Sequence, residues 1–259
     1  MTALALCGGF GNVLFQLNLF YAYRHLFEYV TCECGLIRAF RKARGLNCPS
    51  QLDYIHILNL FDLCNGPSQS ATDYLLLGLS NILHRPVVGR YWSNYIDPEL
   101  LDSSTIILKT YAQYQVPIQE EFLSLLRTRL LVPRSHLVTV SSQYDALVHV
   151  RCGDLSRTAG IVSYYRKAMS IYSNILIVTD DSIQASRFFP SIDPALIISS
   201  DSYLDDFALL AFAKNIISSN STFAWWASEL SAAESVIEPF EHRLGLHFDP
   251  VSSRSRLKL

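Results

Sequence analysis

Charge is what this sequence has least of. Only 17% of its 259 residues are charged, half are apolar, and the formal net charge is −2. A basic face of the kind that holds nucleic acid is not expected. Disorder is not expected either, because it needs more charge and less apolar content. Long apolar runs are also missing. No stretch of ~20 uninterrupted apolar residues occurs, which argues against a membrane-spanning helix. Residues 1–22 are apolar but carry no basic lead and are broken by Asn12, Gln16 and Asn18. A signal peptide is therefore not expected, and the expected location is cytoplasmic. The six cysteines, Cys7, Cys32, Cys34, Cys48, Cys64 and Cys152, include no Cys-x-x-Cys pair. That disfavours a zinc site and leaves buried or half-exposed thiols in a reducing compartment. Neither G-x-G-x-x-G nor a P-loop lysine motif is present, so the usual phosphate-loop signatures do not apply. No internal repeat or low-complexity tract is found.

The second half shows regular alternation. Short β-branched runs at 146–151, 174–181, 195–200, 215–219 and 235–239 read as strands. Helical spacing lies between them at 162–173, 182–189, 203–214 and 222–233, with Ser182 a candidate cap. The alternation predicts a parallel sheet with helices on both faces and functional loops at the carboxyl ends of the strands. In the first half one strand–turn–helix unit is clear: residues 2–7, the glycine turn "GGFGN" at 8–12, and a helix over 12–30. Prolines then break the pattern repeatedly. We expect α/β domains at 1–135 and 136–259, with 131–143 as the connection.

Three segments carry chemistry. In "HVRCGD" (149–154), alternation along a strand points His149 and Arg151 to one face and Val148 and Val150 to the other. Arg151 offers a rigid fork of donors suited to phosphate; the alternative is a buried Arg–Asp pair stapling the loop. In "SSNSTFAWW" (218–226), a strand runs through hydroxyls into a helix. Its free N–H groups and dipole make an anion cradle, or Ser221 or Thr222 simply caps the helix. Trp225 and Trp226 point ~100° apart, so one is core and the other is open to a sugar-stacking role. The pairs Asp180–Asp181 and Asp205–Asp206 do not by themselves make a metal site. For Asp205 the plain reading is favourable placement at a helix N-terminus. Together the loops suit a nucleoside diphosphate, with cation and N–H groups for phosphate and carboxylates for base or ribose.

The ordered set "GGFGNVLFQ" (8–16), "VHVRCGDL" (148–155), "YYRKAM" (164–169), "VTDD" (178–181) and "SSNSTFAWWASEL" (218–230) resembles the alpha-1,2-fucosyltransferases of glycosyltransferase family 11. "GRYWSNYIDPEL" (89–100) is similar to that family's intermediate aromatic segment. The resemblance implies a GT-B-like fold, two Rossmann-like domains facing across a cleft, with the acceptor side in 1–135 and the GDP-sugar bound mainly by 136–259. It implies inverting, metal-independent transfer of L-fucose from GDP-fucose to a galactose O2 of a glycan or glycolipid acceptor, with no cofactor. It places Arg151 on the β-phosphate and His149 beside the nucleotide. Ser221 and Thr222, with Asn220, fall on the phosphate-binding turn. Similarity to the alpha-1,6-fucosyltransferases puts Asp206 on the guanine edge, where a carboxylate can accept from two N–H groups. Asp154 is the nearest acidic candidate for a base; a structural role binding Arg151 or the backbone is the alternative. Gly9, Gly11 and Asn12 become a lid over the pyrophosphate, or a tight turn and helix cap. The chain departs from the family at Cys152, where a second arginine is usual, at Leu155 (Tyr) and at Val13 (Gln). Other expectations are another GDP-deoxysugar as donor, or a non-catalytic GDP- or glycan-binding module. The basic "RSRLKL" at 254–259 is either a solvated tail or a peripheral membrane contact. No signal for an oligomeric state is present.

Overall fold

The computed structural model describes residues 3–6, 8–27, 29–32, 54–63, 107–108, 117–155, 160–239 and 255–258. Cys7, Cys34, Cys48, Cys64 and the 89–100 segment lie outside the described residues. The chain divides into two compact units, Met1–Leu125 and Leu126–Leu259.

The first unit holds a three-stranded parallel sheet. β1 (Ala3–Leu6) lies between β2 (Tyr29–Cys32) and β3 (Ile107–Leu108). The crossover from β1 to β2 is helix α1 (Phe10–Ala22). Its residues are buried nearly all round, the pattern of a core helix rather than a surface one. The chain enters α1 through Gly8 at φ +84°, a left-handed conformation that glycine adopts without strain. The helix stops eight residues short of the expected 30, because Tyr29, Val30 and Thr31 favour a pleated strand and form β2 instead. Asn18 is buried on α1 and ties down a distant segment: its Oδ1 accepts the Gln119 N–H at 2.9 Å. Helices α2 (Tyr54–Leu60) and α3 (Glu120–Leu126) pack here as well, with Phe122 of α3 stacked on Tyr21 at 5.3 Å.

The 131–143 segment, expected as a connection, is largely helical. α3 runs on through a wider turn (Arg127–Leu131) and a tight turn (Val132–Arg134) to α4 (Leu137–Ser141). Pro133 sits at the start of the tight turn, where its missing N–H is not needed.

The second unit is a six-stranded, all-parallel sheet. Its strands are β4 (Ala146–Val150), β5 (Ile175–Thr179), β6 (Ile197–Ile198), β7 (Asn215–Ile217), β8 (Ser235–Glu238) and β9 (Ser255–Lys258). The spatial order is β6-β5-β4-β7-β8-β9, which is the doubly wound order of Rossmann-type sheets. The helices between strands are α5 (Cys152–Leu155), α6 (Ile161–Met169), α7 (Ser182–Phe188), α8 (Tyr203–Ala211) and α9 (Thr222–Leu230). Every residue of β4 and β5 is buried, as a sheet covered on both faces requires. Val148 and Val150 pack with Tyr164, Tyr165 and Ala168 of α6 on one face. On the other face α8 packs on β4 and on α9. Phe207, fully buried there, is worth about 1.5–3 kcal/mol relative to exposure.

Two local expectations are corrected. The cap of α7 is Asp181, whose carboxylate accepts the Gln184 N–H at 2.9 Å, not Ser182. Ser255–Lys258, expected within a basic tail, pairs with β8 as a sixth strand, Leu257 opposite Ile237. Among the described residues no helix is long and apolar enough to cross a membrane.

Candidate functional site

In a doubly wound sheet the crossovers leave to opposite sides at one point, and the carboxyl ends of the two strands there open a crevice. Here those strands are β4 and β7. The chain leaves β4 at Arg151 and leaves β7 at Ser218. Both chemistry-bearing motifs therefore begin at the same crevice.

His149 is the core of the arrangement. Its Nδ1 lies 2.6 Å from Ser219 Oγ. Ser219 Oγ donates to Ser221 Oγ at 3.0 Å, and Ser221 Oγ accepts the Ala224 N–H at 3.2 Å. A hydroxyl has one proton. Ser219 gives its own to Ser221, so it accepts from His149, which fixes the Nδ1–H tautomer. Nε2 is left with its lone pair, and among the described residues it has no hydrogen-bond partner. The imidazole is neutral at pH 7: burial lowers its pKa to about 4, the neighbouring charge of Arg151 pushes the same way, and Asp180 opposes. Phe223 stacks on the ring at 5.2 Å and 27°, and Phe207 meets Phe223 edge-on at 5.3 Å. The aromatic contacts hold the ring plane while Ser219 holds its rotation.

Arg151 lies just beyond β4 and is exposed. The alternative of a buried Arg–Asp pair fails on that exposure. Among the described residues Arg151 takes part in no ion pair. Asp154 falls in the α5 turn, and its side chain is outside the described set. Cys152, the first residue of α5, is buried in the core beneath the crevice. Burial pushes its thiol up to about 11, so it stays protonated.

Ser221 is the cap of α9. Asn220 and Thr222 flank it, half-buried. The expected cap role of the turn is filled by Ser221, not Thr222. Among the described residues Asp206 bonds to Ser200 and not to His149, Ser219 or Ser221. It accepts Ser200 Oγ at 2.6 Å and the Ser200 N–H at 3.3 Å. Burial raises its carboxyl to about 6, with Asp205 adding to the shift and the Ser200 bonds opposing it. Asp205 turns to Arg134 in an ion pair of 2.8 Å. Gly9, Gly11 and Asn12 belong to the first unit. There Gly9 is the extended cap residue of α1, with no side-chain bond to the helix, and its N–H groups start a helix directly after a parallel strand.

Both tryptophans are core: Trp225 is 6% and Trp226 0% exposed. The sugar-stacking alternative for one of them is overturned. The sequence did not single out Phe223, Ser200, Tyr164 or Tyr165 as site residues. Tyr164 Oη donates to the carbonyls of Ser218 and Ile237 at 2.7 and 2.9 Å, and Tyr165 Oη to that of His149 at 3.0 Å. These two hydroxyls fix the very strand ends that carry the site.

Fold and site together define a class: a doubly wound α/β domain whose polar cluster sits at the switch point of the sheet. No protein-family model and no curated protein matches the sequence.

Proposed function

We propose that the protein is an inverting glycosyltransferase that moves L-fucose from GDP-fucose to an acceptor hydroxyl, galactose O2 of a glycan or glycolipid. One observation supports this most: an exposed arginine, a neutral histidine and a hydroxyl-lined helix N-terminus share the switch-point crevice. Ligands of doubly wound sheets bind at that place. We take the two units as the Rossmann-like halves of a GT-B enzyme.

In the proposed step the acceptor oxygen attacks the anomeric carbon of fucose. The bond from that carbon to the β-phosphate oxygen breaks, and GDP leaves with the electron pair. The guanidinium of Arg151 and the N–H groups at the start of α9 meet the charge that develops on the leaving phosphate. Asp154 is the candidate for the acceptor proton. Asp206 takes the guanine N1–H and N2–H2. The proposed step places no metal, so turnover is expected to survive EDTA.

A thermal-shift panel of GDP, UDP, CMP and ADP sugars tests the donor. GDP species should stabilise the protein; preference for UDP would overturn the assignment of Asp206. Arg151→Ala should raise the transfer barrier by roughly 2–4 kcal/mol, measured as kcat/KM with GDP-fucose. A second role, a non-catalytic GDP binder, is favoured by the buried, uncharged Cys152 where the similar family carries a second arginine. Stabilisation by GDP with no transfer to any galactoside would select it.

A further inference from the structure

We propose that Asp180 is a positioning residue for Arg151, acting through the backbone of Cys152. The inference rests on Arg151 being the phosphate contact. β4 and β5 pair in parallel, with Val150 opposite Thr179 as the last rung. Beyond that rung the two chains are still tied. The Cys152 N–H donates to Asp180 Oδ1 at 2.8 Å. Cys152 Sγ lies 3.2 Å from Thr179 Oγ1 and donates to the Asp181 carbonyl at 3.2 Å. Thr179 Oγ1 in turn accepts the Asp181 N–H at 3.3 Å. The residue after Arg151 is thereby strapped to the exit of β5.

The strap explains two otherwise awkward residues. A carboxylate beside an anion site opposes the anion, and the field of Asp180 reaches this cluster, because it raises the basicity of His149. Its place is understandable if the carboxylate is used as a backbone acceptor. Cys152 likewise gains a role that a guanidinium could not fill, since its buried thiol bonds inward to Thr179 and Asp181. Arg151 has no carboxylate partner among the described residues to aim it. Its direction is then set by where the strap holds its own backbone.

GDP binding by calorimetry on the full chain tests this, with Asp180→Ala, Asp180→Asn, Arg151→Ala and the double variant Asp180→Ala/Arg151→Ala. Asp180→Ala loses the acceptor and should weaken GDP about tenfold. Asp180→Asn keeps an oxygen for the Cys152 N–H and loses the opposing charge, so its affinity should recover to wild type or better. In the Arg151→Ala background, Asp180→Ala should add nothing further. Equal weakening by Asn and Ala, or a full additional loss in the double variant, would overturn the proposal. A ligand-free readout separates it from the donor assignment. Amide exchange at Cys152 should be at least ~tenfold faster in Asp180→Ala and near wild type in Asp180→Asn. Unchanged exchange in Asp180→Ala would refute the strap. If the wild-type protein binds no GDP, the donor assignment fails, and exchange alone decides the strap.

Discussion

His149 loses its ordinary basicity to burial. Its folded pKa is about 4 against an ordinary 6.5. Between those values the unfolded chain binds a proton that the folded chain refuses. Stability therefore falls as pH drops from 6.5 to 4, by about 3 kcal/mol in total. Asp206 has the opposite sign. Its carboxyl, raised from 3.8 to about 6, holds a proton in the folded state between those two values, so its contribution is present at low pH and is lost as pH rises through 6. Two substitutions separate them. Urea unfolding of His149→Gln should show a smaller loss between pH 7 and 4.5 than wild type. Asp206→Asn should raise Tm at pH 7.5, with the gain gone near pH 4.5. The same Asp206→Asn change should weaken GDP by about 1–3 kcal/mol if the carboxylate makes two bonds to guanine. A higher Tm with unchanged GDP affinity would leave Asp206 a buried charge without that role.

Helix α6 reaches past its apolar face to the strand ends. Tyr164 Oη shares its one proton between two buried carbonyls, those of Ser218 and Ile237, the second of which also accepts the Ser218 N–H at 2.8 Å. Tyr164→Phe leaves both without that donor and should cost about 1–3 kcal/mol in unfolding free energy. Elements of this kind were readable in part. The β-branched runs located β4, β5, β7 and β8 to within a residue or two, because a strand buried on both faces is nearly all apolar. Period-two alternation put His149 opposite Val148 and Val150 for the same reason. β9 was not readable: Arg256 and Lys258 alternate with Leu257 and Ser255, so only pairing with β8 distinguishes the segment from a tail. Phe223 was not readable either. Beside two tryptophans it looks like more core, and its stacking on His149 depends on β4 and α9 meeting at the switch point. The Cys152 strap involves a neighbouring strand 27 residues away, which no local pattern encodes.

At the scale of the molecule, the second unit contains His149, Arg151, Asp206 and the 219–222 turn, the residues proposed to hold the nucleotide. It has a complete strand order, two covered sheet faces and the hydrogen bonds that join His149, Ser219 and Ser221. A chain of its length buries enough apolar surface to fold alone. Residues 126–259, expressed by themselves, should therefore unfold cooperatively in urea and gain stability from GDP. They should transfer no fucose, because the acceptor side is assigned to the first unit. Near-UV circular dichroism would report fixed packing around Trp225 and Trp226, which meet edge-on at 5.2 Å. A fragment with that signal but no response to GDP would move the nucleotide site out of the switch-point crevice. A fragment lacking the signal would instead mean that the sheet order alone does not stabilise the unit.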